Sequence, residues 1–300
     1  MQKIFSFLVV AIMMTITACK KEAPADPNIL DYGPLYTFDN TPLGQRLEGI
    51  YNRTGSYVLY QNIKPQDWTW NFNKSSGNFW IANGVSDPET NMPLVLDYLE
   101  QYWFGLYTDK FLRDYLPLRI IVSDSLLNST SRQQYQKGEG MQAISIRMVN
   151  TATTPMTTHL AQWTETQKKT IAKNLHQNFY LETIATKLSN LLPEDFYTGS
   201  IYDYVVETSN PSKKNPKELG FWNLATQSTN TVSPTKIVDV MDWLKTMAAT
   251  KPQDMDALFY YTSGGVTKYS SVMKHKYDVL QKYMQDVYGM SFHQLNEIYF

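Results

Sequence analysis

The chain has 300 residues and a single cysteine, Cys19, and that one thiol limits the possible folds more than any other feature. Without a second cysteine there is no disulfide framework, so the body must be held by apolar packing and hydrogen bonds alone. The composition allows this: 43% of residues are hydrophobic, and seven Trp, 21 Tyr and 13 Phe supply bulk for a core. The position of the thiol matters as well. It follows an apolar run from Ile4 to Met14, preceded by one positive charge at Lys3. That run is too short to span a bilayer, which takes about 20 apolar residues. It reads as the n-region and h-region of an export signal.

The leader ends Ile16-Thr17-Ala18-Cys19, which resembles the bacterial lipobox, where small residues precede a cysteine that is acylated and becomes the first residue of the mature protein. Residues 1–18 are therefore expected to be removed, and Cys19 is the expected lipidation site, fixing the chain to a lipid bilayer. The mature body would carry no thiol for nucleophilic or metal-binding work. Residues 19–28, with the sequence KKEAPADPN after the cysteine, are polar and proline-bearing, the composition of a flexible tether. Lys20 rather than aspartate follows the cysteine, which leans toward the outer membrane of a Gram-negative cell. The 27 basic and 28 acidic side chains nearly balance, so nothing favours a nucleic-acid partner.

Within the body, Thr41–Tyr51 has a capping threonine, Pro42 at the first helical position, and Leu43, Leu47 and Ile50 at helical spacing. Residues 55–60 read as a β-rich run. Leu94–Tyr115 predicts two helices broken at Gly105, and Pro117 precedes a central strand at Leu118–Val122. Gln142–Val149 alternates apolar and polar residues with the period of a strand. From Thr157 the character becomes helical: a long helix over about 157–177, a short one over Ile184–Leu191, and a helix over Pro234–Met247 with Ser233 as its cap. Ser291 and Gln294 predict a capping box for a last helix. These elements predict an α+β fold, with a mixed-sheet subdomain over 29–150 and a more helical one over 151–300.

Chemistry is sparse. Four histidines, His159, His176, His275 and His293, lack partners at metal-binding spacing. There is no GxSxG elbow and no phosphate loop, and Gly264-Gly265 reads as a turn. Trp68, Trp70, Phe72, Phe79 and Trp80 crowd an Asn-rich stretch. Such a cluster can stack sugar rings, and Trp68, Trp70 and Trp80 are the candidate ligand-binding residues, although alternating Trp68 and Trp70 equally suits one buried strand face.

Several segments together carry a resemblance: TPLGQRLEGIYNRTGSYVLYQ, FLRDYLPLRIIV, LHQ, PEDFY, ELGFWNLATQS and VLQKYMQDVYGMSFHQLNEI. The chain resembles the substrate-import-associated zinc metallohydrolase lipoproteins of Bacteroidota, zincin-type peptidases encoded beside outer-membrane nutrient importers. The resemblance implies a zincin-like fold whose long helix carries His-Glu-x-x-His, closely followed by Leu-His-Gln. Two histidines four apart grip zinc, and the glutamate activates the bound water. Setting Leu175-His176-Gln177 on the family's Leu-His-Gln puts Lys169, Thr170 and Lys173 where the two ligands and the base should be. Lysine offers no lone pair to a metal. A second register, with His176 as first ligand, leaves Gln177 and Tyr180 at the other two positions. Asp239, in TKIVD, falls where an acidic third ligand is expected.

The resemblance thus implies a degenerate site, with no zinc or other cofactor expected. The chain would be a catalytically silent binding or accessory lipoprotein beside an importer of glycan or peptide. One alternative is a hydrolase with a rebuilt site drawn from His176, Asp239, Glu182 and Tyr180. The other is a dedicated glycan-binding lipoprotein.

Overall fold

A computed structural model describes residues 35–64, 67, 81–127, 135–137, 143–147, 160–207, 214–227 and 230–300. Helix α1, Pro42–Thr54, begins as its sequence predicts: the Thr41 hydroxyl accepts from the Gly44 amide at 3.0 Å, and Leu43, Leu47 and Ile50 are buried. It ends at Gly55 in the left-handed region (φ 74°), which glycine enters without steric cost. The turn that follows delivers strand β1, Tyr57–Leu59, beside strand β3, Arg119–Ser123, with the Tyr57 amide donating to the Leu118 carbonyl at 2.9 Å.

Between them lie β2 (Ile81–Asn83) and two helices, α2 (Pro88–Tyr102) and α3 (Asp109–Tyr115). The predicted break at Gly105 falls in a short 3-10 turn, where a β-carbon would stand 2.7 Å from the Glu100 carbonyl oxygen. After β3 come β4 (Ser125–Leu127), β5 (Tyr135–Lys137) and β6 (Ala143–Arg147). The main sheet runs β1-β3-β6-β5, parallel except for the β5–β6 pair, and β2 pairs with β4 antiparallel. Ile120, Ile121 and Val122 of the inner strand are fully buried, as expected for a strand covered on both faces.

After residue 160 helices dominate. The long helix does not run over 157–177: residues 157–159 lie outside the described residues, and the helix starts at Glu165. Thr164 and Gln167 form a reciprocal capping box that fixes this start. The helix also continues further than predicted. Helix α4 (Glu165–Leu175) passes through one π-helical turn, His176–Tyr180, directly into α5 (Leu181–Leu188).

A three-stranded antiparallel sheet of β7 (Val205–Glu207), β9 (Asn230–Val232) and β8 (Ala225–Gln227), in that order, leads to α6, Lys236–Ala249. Thr235 caps α6, not Ser233. The Ser233 hydroxyl is turned to the Ile201 carbonyl, to which it donates, and its amide extends the pairing beside β7, so Ser233 belongs to the strand segment that precedes the helix.

The Gly264-Gly265 pair is the expected turn (φ 61° and 76°), joining β10 (Tyr260–Ser263) to β11 (Val266–Tyr269). Helix α7, Ser271–Tyr288, ends at Gly289, again left-handed. The predicted capping box at Ser291 does not form. Ser291 instead accepts from the His293 amide and donates to Gln281, heading a 3-10 turn that precedes the short α8, Asn296–Tyr299. The protein is thus α+β, mostly helical with small sheets, and Asn40–Phe300 form one compact unit.

Candidate functional site

Helix α4 carries the three positions at which the resemblance places lost zinc chemistry. Lys169 and Lys173 are half-buried and Thr170 is exposed. The Thr170 hydroxyl bonds back to the Thr166 carbonyl, and the Lys173 ammonium lies over the Tyr299 ring at 4.6 Å. At the start of the helix, Glu165 accepts a hydrogen bond from the Tyr102 hydroxyl.

His176 opens the π-turn and is fully buried among Tyr107, Tyr180 and Tyr102 at the end of α2. Its Nε2 lies 3.0 Å from the Tyr102 carbonyl oxygen, which only accepts, so Nε2 carries the proton. Nδ1 is then the acceptor for the Tyr107 hydroxyl at 2.9 Å. Burial pushes the imidazole pKa down to about 4, against a smaller upward pull from the Tyr102 carbonyl. Both ring nitrogens are occupied and the ring stays neutral near pH 7. Tyr180 is fully buried beside it and Glu182 is half-buried in the first turn of α5. Of the other histidines, His275 is exposed beside Asp195, and His293 bridges the Thr250 carbonyl and the Tyr277 hydroxyl. Cys19, Trp68, Trp70, Trp80 and His159 lie outside the described residues.

Asp239 tells a different story. It sits in the first turn of α6 and is 1% exposed. Its partner comes from α7: Lys276 Nζ approaches Asp239 Oδ2 at 2.5 Å, and both side chains are completely buried. The Tyr202 hydroxyl donates to the same carboxylate oxygen, while Oδ1 has no hydrogen-bond partner. Lys276 also donates to the Ser200 hydroxyl and to the Gly220 carbonyl oxygen, each at 3.0 Å. Burial raises the carboxyl pKa of Asp239 against the opposing pull of Lys276, and burial lowers that of Lys276 against the pull of Asp239. The pair therefore carries a desolvation cost that its short contact and extra hydrogen bonds offset only in part.

The chemistry available here is limited. An ammonium whose protons are all committed has no lone pair with which to activate Ser200, and the buried carboxylate meets Lys276 and Tyr202 through Oδ2 alone. Among the described residues, no three His, Cys, Asp or Glu side chains group as a metal site. Sequence reasoning singled out Asp239 but missed Lys276, Ser200, Tyr202 and Gly220. One signal was available for Lys276. It interrupts the apolar stripe Met273, Leu280, Met284 at helical spacing, which puts a charge on the inward face of α7.

No family model and no curated protein matches the chain. Among solved structures it is similar to a putative zinc-binding metallo-peptidase from Bacteroides caccae ATCC 43185, at 12% identity and a TM-score of 0.47, over 88% of this chain and 94% of that one. A likeness at this level carries no argument about chemistry, which rests on the residues above.

Proposed function

We propose that the chain is a lipid-anchored accessory or binding protein of the bacterial outer membrane, acting beside a nutrient importer on a zincin-like frame that no longer performs zinc hydrolysis. The observation that carries this reading is the state of Asp239. The acidic group expected to help hold a metal is instead closed inside an ion pair with Lys276. His176 supports the reading from the other register, since both its nitrogens are spent within an aromatic core. The anchor rests on Cys19 and its lipobox-like flanks.

The test uses the full chain expressed in a Gram-negative host. Purified after growth with zinc, it should hold well below one zinc per chain by elemental analysis and leave peptide and ester substrates intact. Radiolabelled palmitate should enter the wild-type chain and not a Cys19→Ala variant. Stoichiometric zinc with chelator-sensitive hydrolysis would overturn the silent reading, and equal labelling of both chains would overturn the anchor.

A further inference from the structure

The surroundings of Lys276 Nζ are more specific than a buried ion pair requires. An alkylammonium has three N–H donors and no acceptor. Three acceptors meet it here, from three separate segments: Asp239 Oδ2 at 2.5 Å, Ser200 Oγ at 3.0 Å and the Gly220 carbonyl oxygen at 3.0 Å. Around them stand three aromatic rings, with Nζ 4.9 Å from the centroid of Phe196, 5.1 Å from Phe221 and 5.7 Å from Tyr202. These distances suit attraction between a cation and the negative ring face, an effect that grows when water is excluded.

Gly220 shows that the backbone is fitted to this arrangement. It adopts φ 86°, and a β-carbon there would stand 2.6 Å from Ser200 Oγ and 2.9 Å from a Val272 methyl. Only a glycine lets the chain bring that carbonyl so close to Ser200 and into reach of the ammonium. All six groups are fixed by segments other than α7: Phe196, Ser200 and Tyr202 precede the Gly220–Phe221 turn, Asp239 stands in α6, and Lys276 alone comes from α7.

We infer that these six residues form a receptor for a primary ammonium ion, which the chain fills with its own Lys276 side chain as an internal ligand. The receptor selects for three N–H donors at the end of an unbranched alkyl stem. It discriminates against quaternary ammonium ions, which have no N–H, and against neutral alcohols, which leave Asp239 unanswered. The inference starts from the same Asp239–Lys276 contact as the accessory role, but its failure is distinguishable, because ammonium binding by the variant is read separately from zinc content and hydrolysis.

The test removes the internal ligand and supplies a soluble one. Lys276→Ala deletes Cγ, Cδ, Cε and Nζ, and propylammonium supplies those atoms. In the full chain this variant should melt lower than wild type. Propylammonium should raise its melting temperature saturably at matched ionic strength, by linkage of binding to folding. The variant should bind propylammonium roughly tenfold or more tightly than 1-propanol, as hydrogen bonds to a charged group imply, and propyltrimethylammonium and potassium should have no saturable effect. Wild type, already filled, should not respond.

Equal recovery with 1-propanol would reduce the effect to cavity filling and overturn the inference, as would equal recovery with potassium or no saturable recovery at all. If Lys276→Ala is unfolded at the outset, circular dichroism during the same titrations becomes the readout. Structure gained with propylammonium but not with 1-propanol supports the receptor, and structure gained with neither overturns it. Adding Asp239→Asn to Lys276→Ala should abolish the preference for the charged ligand.

Discussion

At the scale of single residues, His176 sets a pH dependence whose sign follows from its burial. The folded protein holds the imidazole at a pKa of about 4, while an unfolded chain releases it to the ordinary value of roughly 6.5. Neutral His176 thus contributes stability above pH 6.5. As the pH falls from there toward 4, the unfolded chain takes up a proton that the fold refuses, and that stability is lost. The full loss is on the order of 3 kcal/mol. Burial lowers His293 in the same direction, and the two add. Urea midpoints measured at pH 7 and pH 4.5 should fall less for His176→Gln than for wild type. Parallel falls would mean that His176 is not the group responsible. Lys276 is the second residue-scale lesson, because its charge was visible in the sequence but its depth was not. A lysine reads as surface until the apolar neighbours at its helical spacing are counted.

At the scale of elements, most helices were legible wherever spacing and a cap agreed. Helix α1 shows this, since Thr41, Pro42, Leu43, Leu47 and Ile50 all point to one answer. The inner strand at Arg119–Ser123 was equally plain, because a short β-branched run after proline has few other uses. Boundaries failed where a capping residue had a competing partner. Ser233 looked like the cap of α6, yet its hydroxyl is drawn to Ile201, a contact made 32 residues away that no local pattern reveals. Thr235→Ala should therefore cost about 1 kcal/mol through a lost cap, and Ser233→Ala should leave the start of α6 intact. Amide exchange at Val238 reads the difference directly, with faster exchange expected only in the threonine variant. The π-turn at His176–Tyr180 was invisible for a related reason: local propensity does not separate one π-turn from the α-helix around it. The candidate site was the least legible part. Asp239 and Lys276 lie 37 residues apart, on helices whose packing the sequence does not specify.

At the scale of the whole molecule, the Asp239–Lys276 pair ties α6 and α7 to the segments around Ser200 and Gly220. Removing either partner strands the other in the interior, so Asp239→Asn and Lys276→Met should each cost roughly 3–5 kcal/mol. The double variant should cost clearly less than the two combined, a coupling that denaturant unfolding of all four chains would measure. Strict additivity would mean that the pair does not act as a unit. Elsewhere the molecule is closed by a contact between distant parts of the sequence. The Thr108 hydroxyl at the head of α3 donates to the Tyr288 carbonyl across a separation of 180 residues, and Phe111 and Tyr115 pack edge-on against the Tyr288 ring. This has a consequence in clock time. At a synthesis rate of about 5–20 residues per second, the first aromatic layer waits on the order of ten seconds or more for its cover to be made. Until the segment carrying Tyr288 is in place, Phe111 and Tyr115 lack that ring on one side, so this aromatic layer is completed only by the last long helix.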